Sequence, residues 1–482
     1  MTMKDETLWS LAKPAIADAL QKISNHLQSG KKIDNHSALP TLKETPEGNF
    51  RQFGTDYKTA DFRKIFGPAG KFRLSPHTYE EIEGYDELLA YVSSIPAYAA
   101  FHGWSGGESN DLGRRMLEVG TADLIAEIAA RHAHLRGFEF DEEYTRSRYL
   151  EMEAWWQSES LPVTLVVPLI NISFEDDAVH ISENISIERI SDSDHLARVA
   201  GLVAYQRDEW AIRACTHAVL IRNEVTVNWP QSMGSEQWAG NFPYAKLDQV
   251  IQAVSVASMQ PTGYYQVAYL PEGWSPGYVG QLALTRHAFK VDRKSQKLDT
   301  SSEAPSDVLD SEKANDIALL FDALQGANDQ TTLAARRLQL ASLREDELDE
   351  IVDLCVGIEA LLGGTQAGET TYKLAVRGAA VLARKGFRDS AKVADLIKKV
   401  YAYRSYIVHG QAKHAKKRLV AMDGQKYLAT GIAEIILIAL LDVMLKNPTL
   451  IEHIDNDRVI FDLIDEWTAA STSSDDPSSS AS

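Results

Sequence analysis

Arg404 and His409 stand five residues apart in the run V-Y-A-Y-R-S-Y-I-V-H-G over 400–410. A guanidinium is a permanent planar fork of donors that fits two oxygens of a phosphate or carboxylate. An imidazole has the one unperturbed pKa, about 6.5, suited to proton transfer at neutral pH. The pair therefore suits proton transfer beside an anion. On a helix of 3.6 residues per turn, Ile397, Val400, Tyr401, Arg404 and Val408 share one stripe, so the arginine takes a position reserved for core residues. An arginine there needs a carboxylate within the protein or a phosphate from outside. His409 lies about 140° further round an ideal helix. The two side chains share a site only if the helix ends or loosens near Gly410, and a glycine at that place is a helix stop.

A second charge falls on an apolar stripe. Leu348, Val352, Cys355, Glu359 and Leu362 line one face of a helix expected over 346–362. Opposite charges on the core faces of neighbouring helices lead us to expect an internal Glu359–Arg404 ion pair. The stretch 372–420 carries thirteen Lys or Arg against Asp389 and Asp395, a local +11 in a chain of net charge −19, which leaves −30 for the remainder. A basic region in an acidic protein is either a solvated helix surface or the footprint of an anionic partner.

Other chemistry-bearing patterns are weaker. Gly103-Trp104-Ser105-Gly106-Gly107 matches the G-x-S-x-G nucleophile elbow of serine hydrolases, which would make Ser105 a nucleophile. An elbow requires a buried strand before it, and the preceding alanine-rich segment with Pro96 does not read as one. His132 and His134, two apart on a helix, point away from each other and read as surface residues. Cys215 and Cys355 are the only cysteines, which argues against a disulfide framework and a cysteine-based zinc site. No metal and no cofactor are expected.

The elements that must position these residues follow from composition and periodicity. With 482 residues, 44% hydrophobic and 24% charged, the chain has the composition of a multidomain globular protein. No signal peptide is visible at the start, and the most apolar stretch, 431–445, is broken by Glu434 and Asp442, so a cytoplasmic protein without a membrane span is expected. The fold class reads as α+β. Residues 1–150 look mixed and largely helical, 151–291 β-rich, 292–311 a linker, 312–467 an all-α bundle of five or six helices, and 468–482 a polar tail. The apolar run 435–441 suits either a dimer face or a central core helix.

The motif I-E-A-L-L at 358–362, Arg377 in V-R-G-A-A, and R-S-Y-I-V-H-G at 404–410 together resemble the HEPN superfamily, most closely its Apea-like branch, over the last third of the chain. The resemblance implies a helical HEPN domain and a metal-independent endoribonuclease of toxin or anti-phage abortive-infection type. Arg404 and His409 would be catalytic, with Glu359 and Ser405 in support. RNA brings its own nucleophile, the 2′-hydroxyl, so the protein need only move protons and stabilise charge on the phosphate. Two such domains commonly pair, so a homodimer is implied. Tyr406, Lys413, His414, Lys416, Lys417 and Arg418 are the expected RNA contacts, and the N-terminal region would sense a trigger such as a phage-derived molecule. Many HEPN ribonucleases carry Asn, Asp or His after the arginine, where this chain has Ser405, which hydrogen-bonds but carries no charge. The alternatives are a non-catalytic HEPN module that binds nucleic acid or protein, and a serine hydrolase using Ser105.

Overall fold

The computed structural model describes residues 4–33, 39–44, 51–56, 60–69, 75–102, 111–158, 160–170, 172–200, 215–228, 238–239, 243–264, 266–275, 277–279, 282–283, 286–288, 307–363, 371–387, 389–410 and 417–474. The architecture is mixed α+β, with a mostly helical C-terminal half. Two units divide the chain, and neither is contiguous. The first comprises Met1–Pro168, Arg189–Pro243 and Gln266–Lys290, the second Leu169–Glu188, Tyr244–Tyr265 and Val291–Ser482. Sequence texture suggests one β-rich region over 151–291, whereas two of its segments pack with the C-terminal helices. Within the expected linker, 307–309 form a strand and Ser311 opens a helix, and of the expected tail 468–474 continue a helix.

In the first unit, α1 (Glu6–Gln28) begins at Asp5, whose carboxylate accepts the Leu8 N–H. Its stripe of Leu8, Ala12, Ile16, Leu20 and Ile23 is at most 1% exposed. It packs on α2 (Tyr85–Ser94) and α4 (Asp111–Arg136), while α5 (Glu142–Gln157) packs on α4 and on α3 (Pro96–Phe101). The buried Glu153 carboxylate of α5 accepts the N–H groups of Lys4 and Asp5, each at 3.0 Å, and so satisfies donors at the chain's entry into α1. The strand Ser160–Ile170, through Pro168, pairs antiparallel with His217–Asn228 and with Val267–Pro271. Helix α6 (Asp192–Ala200) buries His195 and Arg198, whose side chains meet at 2.7 Å.

Two local expectations change here. His132 is fully buried: its Nδ1 is 3.0 Å from the Gly137 carbonyl and its Nε2 accepts the Asp141 N–H at 3.0 Å. The surface reading fails because α4 is covered over most of its circumference, so a polar residue there must be satisfied internally. The residues before 103–107 form helix α3, which gives the serine hydrolase elbow no strand to stand on; Ser105 itself lies outside the described residues.

In the second unit, α7 (Tyr244–Ser258) packs on α8 (Ser311–Gln325), α9 (Asp329–Ser342) on α10 (Glu347–Leu362), and α11 (Thr371–Ala383) on α12 (Ser390–Val408). Helix α13 (Ala429–Lys446) touches α8 to α12 and is the centre of this unit. Of the run 435–441 only Ile435 is exposed, so the core-helix reading holds and the run offers no continuous apolar dimer face. Helices α14 (Thr449–Glu452) and α15 (Asp457–Ser474) follow. Four of these helices start on a capping side chain: Asp310, Asn328, Asp346 and Asp389 each accept a backbone N–H two or three residues ahead. Between α12 and α13 an antiparallel hairpin, Leu419–Met422 with Gln425–Leu428, interrupts a region expected to be wholly helical. Its turn is Asp423-Gly424, both at positive φ, the signature of a tight two-residue hairpin.

Asp353, 3% exposed, accepts from Arg337 Nη1 at 2.5 Å and Arg344 Nε at 2.6 Å, which joins α9 to α10. Arg337 and Arg344 are themselves 34% and 40% exposed, so Asp353→Ala removes two charge-assisted hydrogen bonds without stranding a desolvated charge and should lower the unfolding free energy by about 1.5–3 kcal/mol. The exposed Lys399–Asp395 pair is an internal control, with Asp395→Ala changing stability by less than about 0.5 kcal/mol. Urea unfolding of the three proteins measures both. His102 supplies a pH test. Its ring fills the space above Gly120, where a Cβ would lie 2.0 Å from the ring, and burial pushes the imidazole down to about 4. The unfolded chain therefore binds the proton more tightly. Stability attributable to His102 should be full above pH ~6.5 and fall as the pH drops toward 4. Unfolding curves across that range should be flatter for His102→Gln than for the parent protein.

Candidate functional site

Three helices carry the residues that the sequence singles out. Helix α10 brings Glu359, α11 brings Arg377, and α12 brings Arg404, Ser405, Tyr406 and His409 at its end. They approach closely at Gly378 of α11, where a Cβ would stand 2.5 Å from Ile397 of α12 and 3.1 Å from Leu362 of α10. Beside it the buried Arg377 donates from Nη1 to the Leu362 carbonyl at 2.9 Å, which satisfies the last turn of α10 one turn beyond Glu359. Tyr401 of α12 donates to the Cys355 carbonyl of α10 at 3.3 Å, and burial pushes both the phenol and the Cys355 thiol up. The neighbouring Glu359 charge acts in the same direction on both groups, and the Arg404 charge opposes it.

Arg404 and Glu359 face each other across this contact, Nη2 to Oε1 at 3.9 Å, with side chains 31% and 38% exposed. The pair is therefore a half-buried Coulombic contact beyond hydrogen-bond range, where the stripes predicted an internal one. The stripe of α12 drifts: Ile397, Val400 and Tyr401 are buried, Arg404 lies at the margin, and Val408 is 52% exposed. Arg404 Nε is out of water and makes no hydrogen bond among the described residues.

The helix ends as expected. His409 is its C-cap, with its N–H on the Ser405 carbonyl at 3.1 Å, and Gly410 follows at φ +63° with its N–H on Ile407. His409 and Ser405 are exposed and Tyr406 is half-buried. No hydrogen bond or ion pair joins His409 to Arg404 among the described residues, and on one helix their side chains depart about 140° apart. Lys413, His414 and Lys416 lie outside the described residues, and Lys417 is exposed. Arg418 donates from Nε to Glu347 at 2.7 Å, while Tyr403 donates to the other oxygen of that carboxylate at 3.2 Å. Burial and Glu347 push the Tyr403 phenol up to about 12.

Glu347 was not among the sequence-derived candidates. It sits at the start of α10, seventy-one positions before its arginine, and nothing local ties the two together. The same holds for the basic region as a whole. Lys385 pairs with Asp442, Lys392 with Asp423 and Arg418 with Glu347, all acids from outside 372–420, and Lys399 pairs with Asp395 inside it. The local +11 thus overstates the free positive charge. Among the described residues no group of His, Cys, Asp and Glu is arranged to hold a metal ion, and no helix is long and apolar enough to cross a membrane.

The chain matches no protein-family model, no curated protein and no solved structure.

A loose, half-exposed ion pair contributes little to stability. Glu359→Gln should change the unfolding free energy by less than about 1 kcal/mol. A loss well above 2 kcal/mol in chemical denaturation would instead make the pair a packing device.

Proposed function

We propose that the C-terminal unit carries a HEPN-like bundle and acts as a metal-independent endoribonuclease of toxin or anti-phage abortive-infection type. The observation that carries this reading is the state of Arg404: its inner nitrogen is dry and unbonded among the described residues, and the Glu359 carboxylate it faces stands 3.9 Å away. Such a guanidinium is held in place yet has donors to give to phosphate oxygens. His409, exposed at the helix end, is the proton carrier for the 2′-hydroxyl or the leaving 5′-oxygen. Glu359 orients the arginine, and Ser405 offers a hydrogen bond without charge. Because Arg404 and His409 diverge around one helix, a homodimer that sets two motifs in one cleft supplies the missing proximity. The first 300 residues sense its trigger or hold the nuclease in check. A second reading, a non-catalytic module for nucleic acid or protein, draws on the paired lysines of 372–420 and on Ser405.

Full-length protein incubated with total RNA in EDTA should yield fragments ending in 2′,3′-cyclic phosphate. His409→Ala should reduce the cleavage rate by about 10²–10⁴-fold, the usual span for a lost general acid or base. Cleavage that survives His409→Ala, or that EDTA abolishes, would overturn the mechanism.

A further inference from the structure

Tyr372, at the start of α11, leaves 65% of its surface exposed. Lys398 of α12 places its ammonium 5.3 Å from the centre of that ring, within cation–π range. Lys398 also belongs to a stripe of α12 that repeats at four, three and four residues: Lys398, Ala402, Ser405 and His409. Lys398, Ser405 and His409 are exposed and Ala402 is half-buried, so the stripe is an open face of the helix. The rise of an α-helix puts Lys398 about 16 Å from His409 along it. Lys373, next to the tyrosine, is exposed as well. Asp395, the one acid close by on α12, is engaged by Lys399 at 2.7 Å, so it does not cancel Lys398.

From this arrangement we infer that Tyr372 is a stacking platform for a base of single-stranded RNA, with Lys398 and Lys373 on the adjoining phosphates. The inference rests on the nuclease reading for its choice of ligand and extends it by a subsite several nucleotides from the point of cleavage. An exposed aromatic ring beside cations recognises an unpaired base through its π-face, whatever its identity. A duplex keeps its bases stacked on one another and offers no such face. The ring and its cations thus select strand state and leave sequence unread, while the stripe from Lys398 to His409 gives the backbone a straight path to the histidine.

The test uses the full chain with His409→Ala as the non-cleaving background and a fluorescently labelled twelve-nucleotide RNA read by anisotropy. Adding Tyr372→Ala should weaken single-strand binding on the order of tenfold, and Tyr372→Phe should not. Lys398→Gln should weaken binding and lower the slope of log affinity against log salt by about one, and a duplex of equal length should show no dependence on Tyr372. Because the side chain is mostly exposed, a thermal melt of each variant should match the parent. If the background protein binds the single strand and Tyr372→Ala binds it within twofold, the platform is overturned and the nuclease reading stands. If Tyr372→Ala loses binding while wild-type protein cuts RNA no faster than His409→Ala does in a reaction where both cleave, the platform stands and the nuclease mechanism falls. Absence of RNA binding by the background protein overturns both.

Discussion

The C-terminal unit depends on the closeness of α10, α11 and α12 at Gly378. A Cβ there would stand 2.5 Å from the tip of Ile397 and 3.1 Å from that of Leu362, so a larger residue would have to push both side chains aside where the helix with Arg377 packs against the helices with Glu359 and Arg404. From that contact follow the Arg377 bond to the end of α10, the Tyr401 bond to Cys355, and the 3.9 Å separation of the two opposite charges. Shifting one helix by the width of a methyl group would alter all three, since packed interiors transmit displacement instead of absorbing it.

Charge in this unit is organised at two levels. Buried carboxylates are compensated: Asp353 has two arginines, and Asp442, 3% exposed, has Lys385 and Lys446. These pairs fix which helix meets which, because a lone buried carboxylate is intolerable in any other arrangement. Arg404 differs from them. Its partner neither hydrogen-bonds to it nor covers it, so its charge stays available. What matters is where the described basic side chains over 372–420 that stand outside such pairs sit.

The sequence was most readable where one rule acts over many residues. The helices expected from periodicity over 312–324, 332–343, 346–362, 372–385, 390–409 and 428–445 are α8 to α13, each within three residues of those bounds. Arg404 and Glu359 were identified as opposite charges on facing stripes, and they do face each other. They lie shallower than the stripes predict, because a helix face rotates slowly out of a core and the ends of a stripe leave first, as Val408 does. The hairpin turns on Asp423-Gly424, a local turn signal set within helical surroundings. Glu347 with Arg418 had no local signal at all, since only tertiary packing unites them.

The interleaving of the two units has a consequence for synthesis on the ribosome. The chain passes from one unit to the other five times, after Pro168, Glu188, Pro243, Tyr265 and Lys290. Leu169–Glu188 and Tyr244–Tyr265 therefore emerge long before α8, the helix on which α7 packs. Domains ordinarily complete themselves as they leave the tunnel, N-terminal first, whereas the second unit can close only after its last segment, which begins at Val291, has been made. A fragment confined to 312–467, although it carries Arg404 and His409, would lack α7 from its own core. The nascent chain thus reaches the residues of the candidate site only after every segment of the first unit.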